Sequence, residues 1–162
     1  MDRAVLRGAD FTGANLQSAN LIGAILEVAR FDRADMSRAR LSGANLVSAS
    51  LENTRLAKAE MEFALMGNAV LQGACLQQAD MSGAQLDAAV LTGANLRKAN
   101  LRGAGLRDAW LDGADLRDAR LGSAFLVGAS GARIYDWQSS TARICQMPIW
   151  IMPKASCEQL LP

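Results

Sequence analysis

The chain of 162 residues contains no histidine. The commonest general base and the commonest nitrogen ligand for a metal are therefore missing. What remains for proton transfer is carboxylate: Asp10, Glu27, Asp32, Asp35, Glu52, Glu60 and Glu62. Glu60 and Glu62 flank Met61, close enough for two carboxylates to titrate as a pair. Spread along a polar pattern, these acids read instead as a solvated surface. Cys75, Cys145 and Cys157 are odd in number and lack the spacing of metal ligands. There is no nucleophile motif and no phosphate-binding glycine loop. These residues predict a protein that is not an enzyme and that needs no cofactor and no metal.

The elements that carry these residues are set by a repeat, which is tested before any other pattern. Every fifth residue from Leu6 to Leu126 is Leu, Phe or Met, twenty-five positions without a gap. Two residues before each stands Ala, from Ala4 to Ala124, with Thr54 the single exception. An α-helix turns about 100° per residue, so a period of five would wrap the large side chains around it with no apolar stripe. A straight strand alternates with period two, and an odd repeat would throw successive core residues to opposite faces. Heptads are absent. The chain must therefore turn a corner in every repeat. The large residue and the Ala two before it then point inward from one short extended segment. The other three residues face outward or form the corner. Gly is the second residue after the core position in ten repeats, including Gly13, Gly43 and Gly83, which suits a tight turn. Thr54 brings a hydroxyl into the core and is expected to bond a nearby backbone carbonyl.

Ala14-Asn15-Leu16, Ala44-Asn45-Leu46, Ala94-Asn95-Leu96 and Ala114-Asp115-Leu116 resemble the A(D/N)LXX signature of the pentapeptide-repeat family. The resemblance runs over about residues 4–130 and implies an all-β fold: a right-handed quadrilateral β-helix with four repeats per coil. About six coils over residues 1–130 follow, with a non-repeat C-terminal tail over 131–162. Residues twenty apart should then stack, so Phe11 should lie on Phe31.

The same register sorts the surface. Val70, Val90 and Trp110 fall on one outward line, with Phe63 and Leu65 around a corner. Large residues there depart from the family's Asp or Asn. Contiguous exposed apolar surface marks a contact site, although β-branched and aromatic residues also suit outward strand positions and the tail is a second candidate for covering them. Arg38, Lys58, Gln78 and Lys98 form another line, with Arg97 and Arg117 beside it. Asp118 interrupts it and no aromatic residue is interleaved for base stacking, so it reads as a solvated face and nucleic acid is not the expected partner.

A solenoid exposes its core at each end and needs a cap. After Ser130-Gly131 the composition changes, and Ile134, Tyr135, Trp137 and Trp150 are candidates for a cap or a dimer contact. Ile144–Met152 is apolar but short and broken by Pro148, so it is not read as a membrane span. At the other end, Ala4 and Leu6 are already in register. Either another chain covers the first coil, making it a second route to a homodimer, or the sequence continues a longer protein. The start has no secretory leader pattern, and a bacterial, reducing cytoplasm is the expected setting. A secreted effector without a classical signal is the alternative.

The expected function is a non-enzymatic scaffold that binds a protein partner through its outer faces or its ends. Two other roles follow from the resemblance. One is DNA mimicry by a gyrase-binding, quinolone-resistance type of protein, which needs a strongly acidic exterior; here 17 Lys and Arg face 16 Asp and Glu. The other is the repeat module of a secreted effector or secretion adaptor.

Overall fold

The computed structural model describes residues 4–131. Within them every repeat has one conformation. The residue before each core position forms a parallel bridge to the residue twenty further on, as in Val5 to Ile25 and Val90 to Trp110. The next two residues after the core position form a turn. Four repeats thus complete one turn of the chain, and the bridges form four ladders. Ladder 1 is Val5, Ile25, Asn45, Leu65, Gln85, Gly105 and Phe125. Ladder 2 is Asp10, Arg30, Ser50, Val70, Val90, Trp110 and Ser130. Ladder 3 is Asn15, Asp35, Arg55, Cys75, Asn95 and Asp115, and ladder 4 is Asn20, Arg40, Glu60, Asp80, Asn100 and Arg120. The bridges stay isolated rather than merging into strands. With two of five residues in a turn and two pointing inward, each side has one residue left to pair.

The core is the predicted column. From Leu21 to Leu111 the large core residues are at most 2% exposed, and the Ala residues between them are equally buried. Phe11 and Phe31 stack with ring centroids 5.1 Å apart and planes 9° from parallel. Leu6, Phe11 and Leu16 of the first coil are only partly buried. Thr54 is completely buried, and its Oγ1 donates to the Phe31 carbonyl at 2.7 Å. That carbonyl already accepts from Ala34 N–H at 2.9 Å. One oxygen with two lone pairs thus serves two donors.

Backbone hydrogen bonds can be followed donor by donor through one repeat. The core residue donates to the coil above, as Leu6 N–H does to Ile25 O at 2.8 Å. The second turn residue also donates upward, as Gly8 N–H to Glu27 O at 2.9 Å. The bridge residue donates downward, as Ile25 N–H to Ala4 O at 2.8 Å. The inward Ala closes the turn, as Ala9 N–H to Leu6 O at 3.1 Å. Only the first turn residue has no backbone acceptor. The second turn residue has positive φ in all twenty-five repeats, ten with Gly and fifteen without, the sign pattern of a type II turn.

Candidate interaction surface

The orphaned N–H of the first turn residue explains the Asn and Asp of the motif. Every Asn or Asp at a bridge position accepts that N–H with its own Oδ1, nine in all, at 2.9–3.4 Å. Each is an Asx turn that satisfies the one donor the coil leaves over. Seven of the nine lie on ladders 3 and 4: Asn15, Asp35, Asn95 and Asp115 on one, Asn20, Asp80 and Asn100 on the other. Twice, an Asp in the coil below replaces the cap. Asp32 Oδ1 accepts Glu52 N–H at 3.1 Å, where the bridge residue is Ser50, and Asp87 Oδ1 accepts Arg107 N–H at 2.9 Å, where it is Gly105.

These bonds set the electrostatics. The side chain of Arg117 hydrogen-bonds Asp115 and holds its pKa down to about 2. The Ser37 backbone and side chain lower Asp35, and the Thr12 side chain and backbone lower Asp10. Burial opposes the charge on Asp80, but bonds from Ser82 and Asn100 outweigh it and its pKa is also lowered. Arg117 is raised in turn, chiefly by its hydrogen bond to Asp115. Ion pairs run between coils, as Arg40 to Glu60 at 3.3 Å, Asp10 to Arg30 at 3.5 Å and Asp87 to Arg107 at 3.6 Å; Arg7 pairs with Glu27 in the same way. Glu60 and Glu62 are separately engaged: Glu60 by Arg40, Glu62 by the Ser42 hydroxyl at 2.6 Å. Among the described residues no cluster of three or more His, Cys, Asp or Glu has a metal-binding arrangement.

Apolar residues occupy the other side of the rod. Ladders 1 and 2 carry Val5, Ile25, Leu65, Phe125, Val70, Val90 and Trp110 at bridge positions, whereas ladders 3 and 4 carry only Cys75. Val70, Val90 and Trp110 are consecutive rungs of ladder 2. Val70 and Val90 are half-buried, and Trp110 is 60% exposed. The turn N–H groups beside them, of Gln72, Thr92 and Asp112, have no side-chain acceptor among the described residues. Leu65 is half-buried on ladder 1. Phe63 is 70% exposed in the turn before Leu65, so ladder 1 separates it from the Val70 line. Its ring lies over Gly83, where an added Cβ would sit 2.5 Å from Phe63 Cε1.

Phe125, 51% exposed, lies on ladder 1 under the Arg107 guanidinium at 5.1 Å, with exposed Val127 in the following turn. Sequence reasoning did not single out these two. For Phe125 the available signal was the one that marked Trp110, an aromatic residue where the repeat favours Asn or Asp; Val127, in a turn, carried no such signal. Ile134, Tyr135, Trp137 and Trp150 lie outside the described residues, as do Cys145 and Cys157.

Four ladders, an Ala and Leu core and Asx-capped turns define a β-helix built from five-residue units. A family model of pentapeptide repeats matches residues 1–27, 34–73, 64–103, 79–118 and 99–130, in eight copies. The chain belongs to the pentapeptide-repeat family, and its fold is that family's right-handed β-helix. Among solved structures it is similar to the pentapeptide repeat protein Rfr23 from the cyanobacterium Cyanothece 51142. Identity is 33% over 63% of this chain and 64% of that one, with a TM-score of 0.45. The match therefore spans less than two thirds of Rfr23. HetL, involved in heterocyst differentiation regulation in Nostoc sp. strain PCC 7120, is 27% identical over 83% of this chain and 89% of its own, with a TM-score of 0.35. QnrB1, a plasmid-mediated fluoroquinolone resistance protein, is 18% identical over 77% and 86%, with a TM-score of 0.35. With TM-scores below 0.5, the family assignment rests on the repeat match. Comparison with curated proteins gave no match.

Proposed function

We propose that this chain is a non-enzymatic interaction scaffold, a stiff rod that presents ladders 1 and 2 to a protein partner. Trp110 is the anchor, flanked by Val90, Val70 and Leu65, with Phe63 as an outlying contact across ladder 1. The observation that carries this reading is the one-sided decoration of a uniform backbone. Seven apolar bridge residues stand on two ladders, and seven of nine Asx caps stand on the other two. Local stability favours Asn or Asp at a bridge position wherever no Asp of the coil below meets the turn N–H beside it. At Val70, Val90 and Trp110 that bond is absent, and what replaces it is accessible apolar surface. A partner that covered the exposed part of Trp110 would gain on the order of 3 kcal/mol, the size of contribution a buried Trp makes at the centre of an interface. Within this reading the tail residues Ile134, Tyr135, Trp137 and Trp150 serve as an end cap or as a contact with a second copy.

The test is quantitative capture of cellular partners on immobilised wild type and on Trp110→Asn. The Asn side chain reintroduces a cap for Asp112 N–H, so the variant keeps the turn while losing the anchor. Loss of a captured protein with the fold intact supports the proposal. An unchanged set of partners, in amount as well as identity, refutes it.

A further inference from the structure

We infer that the edge between ladders 3 and 4 is a docking strip for an acidic polypeptide segment, a site separate from the Trp110 surface. Its second turn residues are Ser18, Arg38, Lys58, Gln78, Lys98 and Asp118, all with φ between 55° and 60°. Side chains are disfavoured in that left-handed region. The other three edges place Gly at ten of their nineteen equivalent positions, but this edge uses none. Side chains are thus kept on every rung of this edge, where the backbone favours their removal, and long polar or cationic ones predominate.

Four of the five cations on this edge form no ion pair among the described residues, Arg117 being the exception. Arg7, Arg30, Arg40, Arg55, Arg107 and Arg117 each pair with a carboxylate. Arg38, Lys58, Arg97 and Lys98 do not, among the described residues; Arg33, Arg102 and Arg120 are also without an ion pair there, but they stand on other parts of the rod, whereas the four share one edge. Arg38 and Lys58 line an open depression of about 410 Å³ together with Gln17, Ser18, Ser37 and Ala57. Higher on the same edge, Arg97 Nε is shut off from solvent with no hydrogen-bond partner among the described residues. From Arg38 to Lys98 is three coils, about 14 Å at a ladder spacing near 4.8 Å, which four or five extended residues span. A segment of alternating carboxylates would meet a cation on most of the rungs it crossed.

Nucleic acid fits less well. Ladders 3 and 4 carry no aromatic residue on which a base would stack. A duplex is also wide enough to press its phosphates against Asp35 and Asp115 of ladder 3 beside the strip, and Asp118 closes the strip's upper end, above the Arg38–Lys98 stretch. A single polypeptide needs only the edge.

The experiment is fluorescence anisotropy of the full chain with three labelled probes at low salt: a short Glu-Gly peptide, a Gln-Gly peptide of equal length, and a short DNA duplex. The Glu-Gly peptide should bind roughly tenfold or more tighter than the Gln-Gly peptide, and the gap should close as salt is added. Arg38→Gly, Lys58→Gly and Lys98→Gly combined should lower that affinity at least about tenfold without lowering the melting temperature, because Gly suits these φ values. The matching triple Gln variant, which preserves side-chain length, should lose binding equally. Val90→Asn, on the Trp110 surface, should leave peptide binding unchanged, so the two sites succeed or fail independently. Equal binding of the two peptides, full affinity in either triple variant, or tighter binding of the duplex would overturn the inference.

Discussion

Ladders 2 and 4 share one backbone and put the same repeat position to opposite uses. On ladder 4, Asn20, Asp80 and Asn100 turn back to cap their own turns, and Arg40 and Glu60 pair along the rod. On ladder 2, Val70, Val90 and Trp110 cap nothing and stand outward. The coil itself requires only that the bridge residue donate its N–H and accept from its neighbour, which any residue but proline does. The side chain at that position is therefore free to serve either the fold or the surroundings. Where it serves the fold, the rod is polar and internally satisfied. Where it does not, function is to be sought.

The largest expected effect falls on what both ladders share. Leu76→Ala, in the closed part of the column, should cost about 3 kcal/mol in denaturant unfolding. Leu6→Ala, in the half-buried first coil, should cost roughly a third of that. Equal losses would mean that the column does not carry the stability unevenly. Thr54→Val keeps the shape and removes one hydrogen bond, leaving the Phe31 carbonyl its Ala34 donor, so about 1 kcal/mol should be lost.

The next predictions exchange the two ladder types. Asn95→Val should cost about 1 kcal/mol by orphaning Arg97 N–H. Val90→Asn gains a cap for Thr92 N–H but loses β-branched packing, and should change stability by less than about 0.5 kcal/mol. A large loss in Val90→Asn would show that Val90 is there for packing. The smallest effect is that of acid. Asp115, Asp35, Asp10 and Asp80 all have lowered folded-state pKa values. Their contribution is therefore complete above the unfolded carboxyl value near 4 and fades as pH falls toward 2. Melting temperatures should drop over that window. Asp115→Asn, which keeps an acceptor for Arg117 N–H but cannot titrate, should show a shallower drop.

The column and the corner in every repeat were legible because they follow from spacing alone; the four-repeat turn came from the resemblance to the pentapeptide-repeat family, and the Phe11–Phe31 stack follows once that number is set. The carbonyl bond of Thr54 was legible too, because a buried hydroxyl has few choices. The outward positions were legible as places but not as contacts. That Phe63 lies over Gly83, or that Asp32 and Asp87 cap turns one coil above, depends on which way a side chain leans across rungs twenty residues apart. The half-burial of Val70 and Val90 depends on the same thing. The meaning of Asn and Asp in the motif needed the full account of donors, since only that shows which N–H is left over.

Amide hydrogen exchange across the native rod tests this account most directly. Among first turn residues, Ser37, Ser82, Arg97 and Arg117, whose N–H groups meet an Asx oxygen, should exchange slowly. Gln72, Thr92 and Asp112, beside the Val70–Val90–Trp110 line, should exchange fast. Equal protection in the two sets would contradict the claim that the bridge residue chooses between capping its turn and facing a partner.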